Sequence, residues 1–317
     1  MQTVTIPLLY CPFSPAIHPQ VKEVANHTDA WVASFNLYSG AAYRQYQDDN
    51  FAWLTARFYP EAQLEQLMTA NDFIVLLFAL RDLLTDRQAE ICQSDFIAHF
   101  LAVTQDRGKP PDMDTTPLLA AWASLWPRLK QLGPAGWAAQ FTPRLSALLQ
   151  AAIPASVSKT SRLSTLAGYM ETRPCLAGTS VSTGIIPVIE NIRLPDEVLQ
   201  HPALKELEQL SHKLLCWSDD LFSFGKERAK GNDYNLVSVL QQERMLTLDE
   251  ALLCAAAIYN TDMRRFIMLS AQLPGFDEAT DQAVARYVDA LRRHIRGNID
   301  WSEKDSMRHS FVYGRTW

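Results

Sequence analysis

The 317-residue sequence is short of several things, and each shortage removes a class of protein. Its five cysteines, Cys11, Cys92, Cys175, Cys216 and Cys254, are scattered and odd in number. They have neither metal-ligand spacing nor the look of a disulfide framework, which fits a reducing cytoplasm. No uninterrupted apolar run reaches the ~18 residues of a membrane span, so none is expected. Positive charge is not in excess: 29 Lys and Arg stand against 35 Asp and Glu, a net charge of −6. No basic field invites nucleic acid. The first residues, Met1 to Tyr10, lack a basic stretch followed by a long apolar one, so they do not read as a secretion signal. Repeats of 20–50 residues are missing, which excludes a solenoid. Alternating strand patterns are almost absent, and no low-complexity linker divides the chain. One all-α domain over 1–317 is the economical expectation.

What the sequence does have is helical periodicity. Hydrophobic residues make up 48% of the chain, enough for a sizeable core. Apolar positions recur at i, i+3, i+4 and i+7. This spacing predicts helices near 19–38, 40–57, 61–87, 89–105, 115–131, 134–152, 156–172, 179–191, 197–229, 233–242, 247–273 and 276–297. Pro60, Gly133-Pro134, Arg173-Pro174, Leu194-Pro195, Gly231-Asn232 and Pro274-Gly275 punctuate them. Asn232 and Thr247 read as helix N-caps, the second followed by Asp249 and Glu250 in its first turn.

The most informative stretch is Asp219-Asp-Leu-Phe-Ser223-Phe-Gly-Lys226-Glu227. On a helix, Asp219, Ser223 and Glu227 lie at i, i+4 and i+8 and share one face. A carboxylate, a hydroxyl and a second carboxylate along two turns suit a hard cation. Mg²⁺ takes oxygen ligands and keeps waters that a phosphate can replace. An acidic face on a solvated helix is the plain alternative. The apolar neighbours Leu214, Leu215, Trp217, Leu221, Phe222 and Phe224 argue instead for an enclosed polar site.

Four other segments bear on that site. Asp82 and Asp86, at the end of the apolar helix that contains Phe73, are i and i+4 and could hold a further metal, or could be ordinary charges at a helix end. Pro174 disfavours helical geometry at Arg173, and Gly178 permits a sharp bend, so a helix break is expected there. An arginine at a break can fork onto diphosphate oxygens. Lys226 can meet phosphate as a point charge, and the tail carries Arg308.

Together these segments resemble the class I terpene synthases (terpene cyclases) of bacteria, over nearly the whole chain. Residues 219–227 look like the second metal motif of that family, with Asp219 in place of the commoner Asn. Arg173 has the spacing of the family's diphosphate-sensing arginine. Ala177 and Gly178 fall at its helix break and effector carbonyl. Asn298-Ile-Asp-Trp301 and Arg308-His309 look like its C-terminal segment, with His309 where the family has Tyr. One departure is plain. The first metal motif of the family opens on two aspartates, and the first position here is Arg81. Arginine has no acceptor lone pair and cannot ligate Mg²⁺ through its guanidinium.

The resemblance implies a helical bundle around a central apolar cavity, with 1–18 as an N-terminal segment and 298–317 as a C-terminal lid. It implies up to three Mg²⁺ ions held by Asp82, Asp86, Asp219, Ser223 and Glu227, although Arg81 puts the ions of the first motif in question. An isoprenyl diphosphate, farnesyl by default, would ionise with Arg173, Lys226 and Arg308 offsetting the leaving charge. Phe51, Trp53, Phe73, Phe78, Trp217 and Trp301 are the aromatic faces for the cation, or else ordinary core. Chain elongation and non-catalytic diphosphate binding are the rival functions. The family resemblance leaves monomer and homodimer both open.

Overall fold

The computed structural model describes residues 4–85, 93–106, 116–158, 165–229, 231–307 and 311–313. Helices dominate, as the periodicity predicts. In chain order they are α1 (Val21–Phe35), α2 (Gly40–Asp49), α3 (Phe51–Phe58), α4 (Leu64–Thr85), α5 (Gln93–Thr104), α6 (Pro117–Leu132), α7 (Trp137–Ser158), α8 (Leu166–Ala177), α9 (Thr179–Thr183), α10 (Ile186–Ile189), α11 (Asp196–Leu199), α12 (Pro202–Ala229), α13 (Leu236–Arg244), α14 (Leu248–Ser270) and α15 (Glu278–Asp300). A π-helical turn, Trp301–Asp305, prolongs α15. None of the described helices is long and apolar enough to cross a membrane.

The chain packs as two compact units. One comprises Ile17–Arg162 and Cys175–Ile192. Its central helix is α4, whose run Phe73, Ile74, Val75, Leu76, Leu77 and Leu80 is buried on every side. An aromatic row crosses the same core: Phe100 stacks on Trp122 at 5.0 Å between centroids, and Trp137 on Phe141 at 4.7 Å. Asp72 is buried in it. Asp72 accepts from Thr28 Oγ1 at 2.8 Å and from Arg128 Nη1 at 2.7 Å, which ties α4 to α1 and α6. A buried carboxylate persists only when donors replace its water.

The other unit comprises Met1–Ala16, Leu163–Pro174 and Arg193–Trp317. Here α12 is the spine, packed against α13, α14 and α15. The strand β1 (Val4–Ile6) pairs in parallel with β2 (Phe311–Tyr313), with Val4 opposite Phe311 and Ile6 opposite Tyr313. Three-residue strands carry too little alternation to be read from sequence. His294 on α15 is fully buried, with Nδ1 2.8 Å from the Ala290 carbonyl. Burial holds it neutral and pushes its pKa down to about 3. The folded value lies below the unfolded one, so the unfolded chain takes up a proton first as pH falls. We expect unfolding free energy to drop by about 1.4 kcal/mol per pH unit from this group between pH 6.5 and 3. Thermal unfolding of His294→Gln across that range should show a shallower acid slope.

Several predicted boundaries are corrected. The helix expected over 40–57 is divided at Asn50, and that over 197–229 at His201, where Pro202 opens α12. The segment 179–191 forms two short helices rather than one. The cap of α13 is Asn235, not Asn232: the Asn235 side chain accepts from the Val237 N–H at 2.9 Å. Thr247 caps α14 as expected, in a full capping box with Glu250. Arg173-Pro174 does not break its helix. α8 runs through to Ala177, and the chain turns at Gly178, whose φ is +70°. Tertiary bonds to Arg173 hold the helical geometry that the following proline disfavours. A Cβ at Gly178 would come within 3.2 Å of Leu148 Cδ2, so both conformation and space favour glycine.

Candidate active site

α12 is continuous from Pro202 to Ala229, so Asp219, Ser223 and Glu227 do share a face in its last turns. None of the three is a freely exposed residue. Ser223 is buried, Glu227 half-buried, and the Asp219 side chain 26% exposed. Ser223 Oγ has no hydrogen-bond partner among the described residues although it is buried. An unsatisfied buried hydroxyl costs about 1–3 kcal/mol and calls for an explanation. A cation bound between the two flanking carboxylates would supply one.

The electrostatics agree. Burial pushes the Glu227 pKa up to about 6; Arg173 opposes the rise, and the charges of Asp220 and Asp219 add to it. A carboxylate raised by lost solvent and by like charges is one that a nearby cation would favour in its ionised form. Glu227 Oε2 accepts from Asn235 Nδ2 at 2.9 Å. Among the described residues no group of three or more His, Cys, Asp or Glu side chains converges on a point. A site with two carboxylates and a hydroxyl does not need one, because Mg²⁺ completes its shell with water.

Arg173, 5% exposed, lies against this face. Its Nη2 donates to Asp219 Oδ2 at 3.1 Å and to Asp220 Oδ1 at 2.7 Å, and its Nε donates to Asp220 Oδ1 at 2.9 Å and to the Tyr169 hydroxyl at 3.1 Å. Among the described residues no bond engages Nη1, so one edge of the guanidinium is left for an anion. Tyr169 in turn donates to Asp220 Oδ2, which also accepts from the Leu236 N–H at 3.2 Å. Burial raises the pKa of Asp220, while Arg173 and Tyr169 pull it down. Burial works against the charge of Arg173, but Asp220 and its neighbours outweigh it and raise that pKa. The pair is a fixed ionic joint that aims Arg173.

The sequence reading missed Asp220, Tyr169 and Asn235 as parts of this site. Asp220 and Tyr169 carried faint signals: Asp220 adjoins Asp219, and Tyr169 is at i−4 from Arg173. Asn235 had none, since it reaches α12 only by a turn of the chain. Lys226 is half-buried beside Glu227. Trp217 is in the core, donating from Nε1 to Asp262 Oδ2 at 2.9 Å, and Trp301 is 1% exposed.

The other unit carries the remaining candidates. Asp82 is exposed near the end of α4, and the Arg81 guanidinium sits 5.3 Å from the Phe78 ring centroid. Phe78 is half-buried and lies 4.4 Å from Phe51, and Trp53 is half-buried. Phe73 is packed among Trp122 and Phe141. Ala177 is buried, and the Gly178 carbonyl accepts from the N–H groups of Val181 and Ser182. Asp86, Arg308 and His309 lie outside the described residues.

A family model described as terpene synthase family 2, C-terminal metal binding, matches residues 72–265. The chain belongs to the terpene synthase family. It is 30% identical to (+)-T-muurolol synthase ((2E,6E)-farnesyl diphosphate cyclizing) of Roseiflexus castenholzii, over 93% of this chain and 91% of that one. Germacrene A synthase of Nostoc punctiforme is 24% identical over 98% and 97%. Germacradien-4-ol synthase from Streptomyces citricolor has the same fold, with a TM-score of 0.82, 22% identity and coverage of 93% and 97%. This terpene synthase is thus an all-α class I enzyme, a terpene cyclase and a lyase. The expectations of family, fold class and enzyme class are met.

Proposed function

We propose that this terpene synthase cyclises farnesyl diphosphate with Mg²⁺ held by Asp219, Ser223 and Glu227. The observation that carries the reading is the buried, unpartnered Ser223 hydroxyl between two carboxylates, with the open edge of Arg173 beside them. The names of the relatives support a fifteen-carbon substrate. Bound Mg²⁺ would neutralise charge on the diphosphate as it leaves. Arg173 binds the diphosphate through Nη1 while Asp219 and Asp220 fix its plane. Lys226 adds a point charge. An allylic cation formed in this way has to be kept from water by apolar surroundings. The whole chain, 1–317, acts as one class I catalytic domain in this reading.

Incubation of purified protein with Mg²⁺ and geranyl, farnesyl or geranylgeranyl diphosphate, followed by analysis of volatiles, tests it. A cyclic fifteen-carbon hydrocarbon or alcohol is the expected product. Longer diphosphates would indicate elongation, and binding without products a non-catalytic role; either would overturn the proposal.

Arg81 adds a separate expectation. Replacing it by aspartate restores the acidic pair at the end of α4 and removes a cation from the Phe78 face. Arg81→Asp should lower the Mg²⁺ concentration for half-maximal rate severalfold. An unchanged Mg²⁺ titration would place residue 81 outside the metal chemistry.

A further inference from the structure

We infer that Asn235 is a positioning residue for the metal face: its carboxamide fixes the Glu227 carboxylate for cation binding while it caps α13. The inference rests on the functional reading above and concerns a residue outside the three-residue motif.

Asn235 is fully buried, and all its amide hydrogens are committed. Nδ2 donates to the Asp220 carbonyl at 2.7 Å and to Glu227 Oε2 at 2.9 Å. Oδ1 accepts from the Val237 N–H at 2.9 Å, the capping bond of α13. An amide has two N–H donors and one carbonyl acceptor, so each is used once. The next residue repeats the tie, because the Leu236 N–H donates to Asp220 Oδ2. The start of α13 is therefore fastened to both carboxylates that flank Ser223 in sequence, Asp220 and Glu227.

Two consequences follow for Glu227. Its Oε2 is oriented by a neutral donor, which fixes the carboxylate without neutralising it. Its other oxygen, Oε1, has no bond among the described residues, which leaves it for a cation. A lysine in place of Asn235 would compete with the metal, and an acceptor would repel the carboxylate. Groups that orient metal ligands in this way typically contribute ten- to hundredfold in metal affinity.

The test separates capping from positioning. Asn235→Ser and Asn235→Asp both keep an N-capping side chain, and both lose the donation to Glu227. Mg²⁺ binding is measured by calorimetry in the presence of inorganic pyrophosphate, alongside thermal unfolding without metal. The expected result is Mg²⁺ affinity ten- to hundredfold weaker in Asn235→Ser, with Asn235→Asp read in its place should the serine variant fail to fold. In the Glu227→Gln background the same substitution should change affinity by less than twofold, because the group it acts through is gone. Wild-type affinity in the foldable variant, or an equal loss in both backgrounds, would overturn the inference while leaving the cyclase reading intact. A wild-type protein that binds no Mg²⁺ with pyrophosphate and turns over no prenyl diphosphate would sink both.

Discussion

Glu227→Gln is expected to lower turnover of farnesyl diphosphate by ~10²–10⁴-fold, a barrier increase of about 3–5 kcal/mol, while leaving the fold intact. The amide keeps the shape of the side chain but not its charge, and it replaces one metal-facing oxygen by a donor or turns that donor toward Asn235. The stability of the metal-free protein should move the other way. The Glu227 pKa is raised in the folded state from an ordinary 4.5 to about 6. The folded chain therefore holds its proton more tightly than the unfolded chain, and stability falls as pH rises from 4.5 through 6. Above that window the ionised carboxylate costs up to ~2 kcal/mol. At pH 7.5 the glutamine variant should unfold at the same or a higher temperature than wild type, and Mg²⁺ with pyrophosphate should raise it by less than in wild type. A variant that turns over normally would remove Glu227 from the metal face. Loss of activity together with a lower unfolding temperature would show a structural role instead.

Arg173→Met should have the second large effect, on stability as well as on rate. It leaves the Asp220 carboxylate buried with, among the described residues, the Tyr169 hydroxyl and the Leu236 N–H as its partners. Removing one member of a buried ion pair typically costs about 3–5 kcal/mol, because the other charge is stranded. Denaturant unfolding should report that loss. Arg173→Lys should recover part of it but not the activity, since one ammonium cannot span Asp219 and Asp220 while keeping an edge open. The double variant Arg173→Met, Asp220→Asn is the sharper measurement. With the stranded carboxylate neutralised, most of the stability should return and turnover should not. If both return, Arg173 is a structural residue only. If stability stays low, the cost lies in lost packing rather than in the charge.

Much of this was legible in the sequence because helices write their contacts locally. The spacing of Asp219, Ser223 and Glu227 is a property of one helix, and α12 keeps it. The Thr247 cap and its Glu250 partner are three residues apart, so they too can be read directly. Reading failed where a local rule met a tertiary one. Pro174 should have broken α8 at Arg173, yet the guanidinium is held by Tyr169 one turn back and by Asp220 on α12, and the helix continues to Gly178. Asn232 looked like the cap of α13. Its side chain instead accepts from the Tyr234 N–H at 3.3 Å in a local turn, and the capping falls to Asn235.

By itself the sequence determined the helical class and the shared face of Asp219, Ser223 and Glu227 on α12, because each rests on periodicity or on spacing within a single element; the family resemblance came from several segments in order along the chain. Only the tertiary structure decided which groups complete that face. Asp220 is buried and bonded to Arg173, 47 positions away. Asn235 holds Glu227 across a chain turn. The Ser223 hydroxyl is left without a hydrogen-bond partner among the described residues. The physical reason is the same in all three. Whether a polar group is satisfied depends on what burial brings beside it, and no spacing rule along one chain records that.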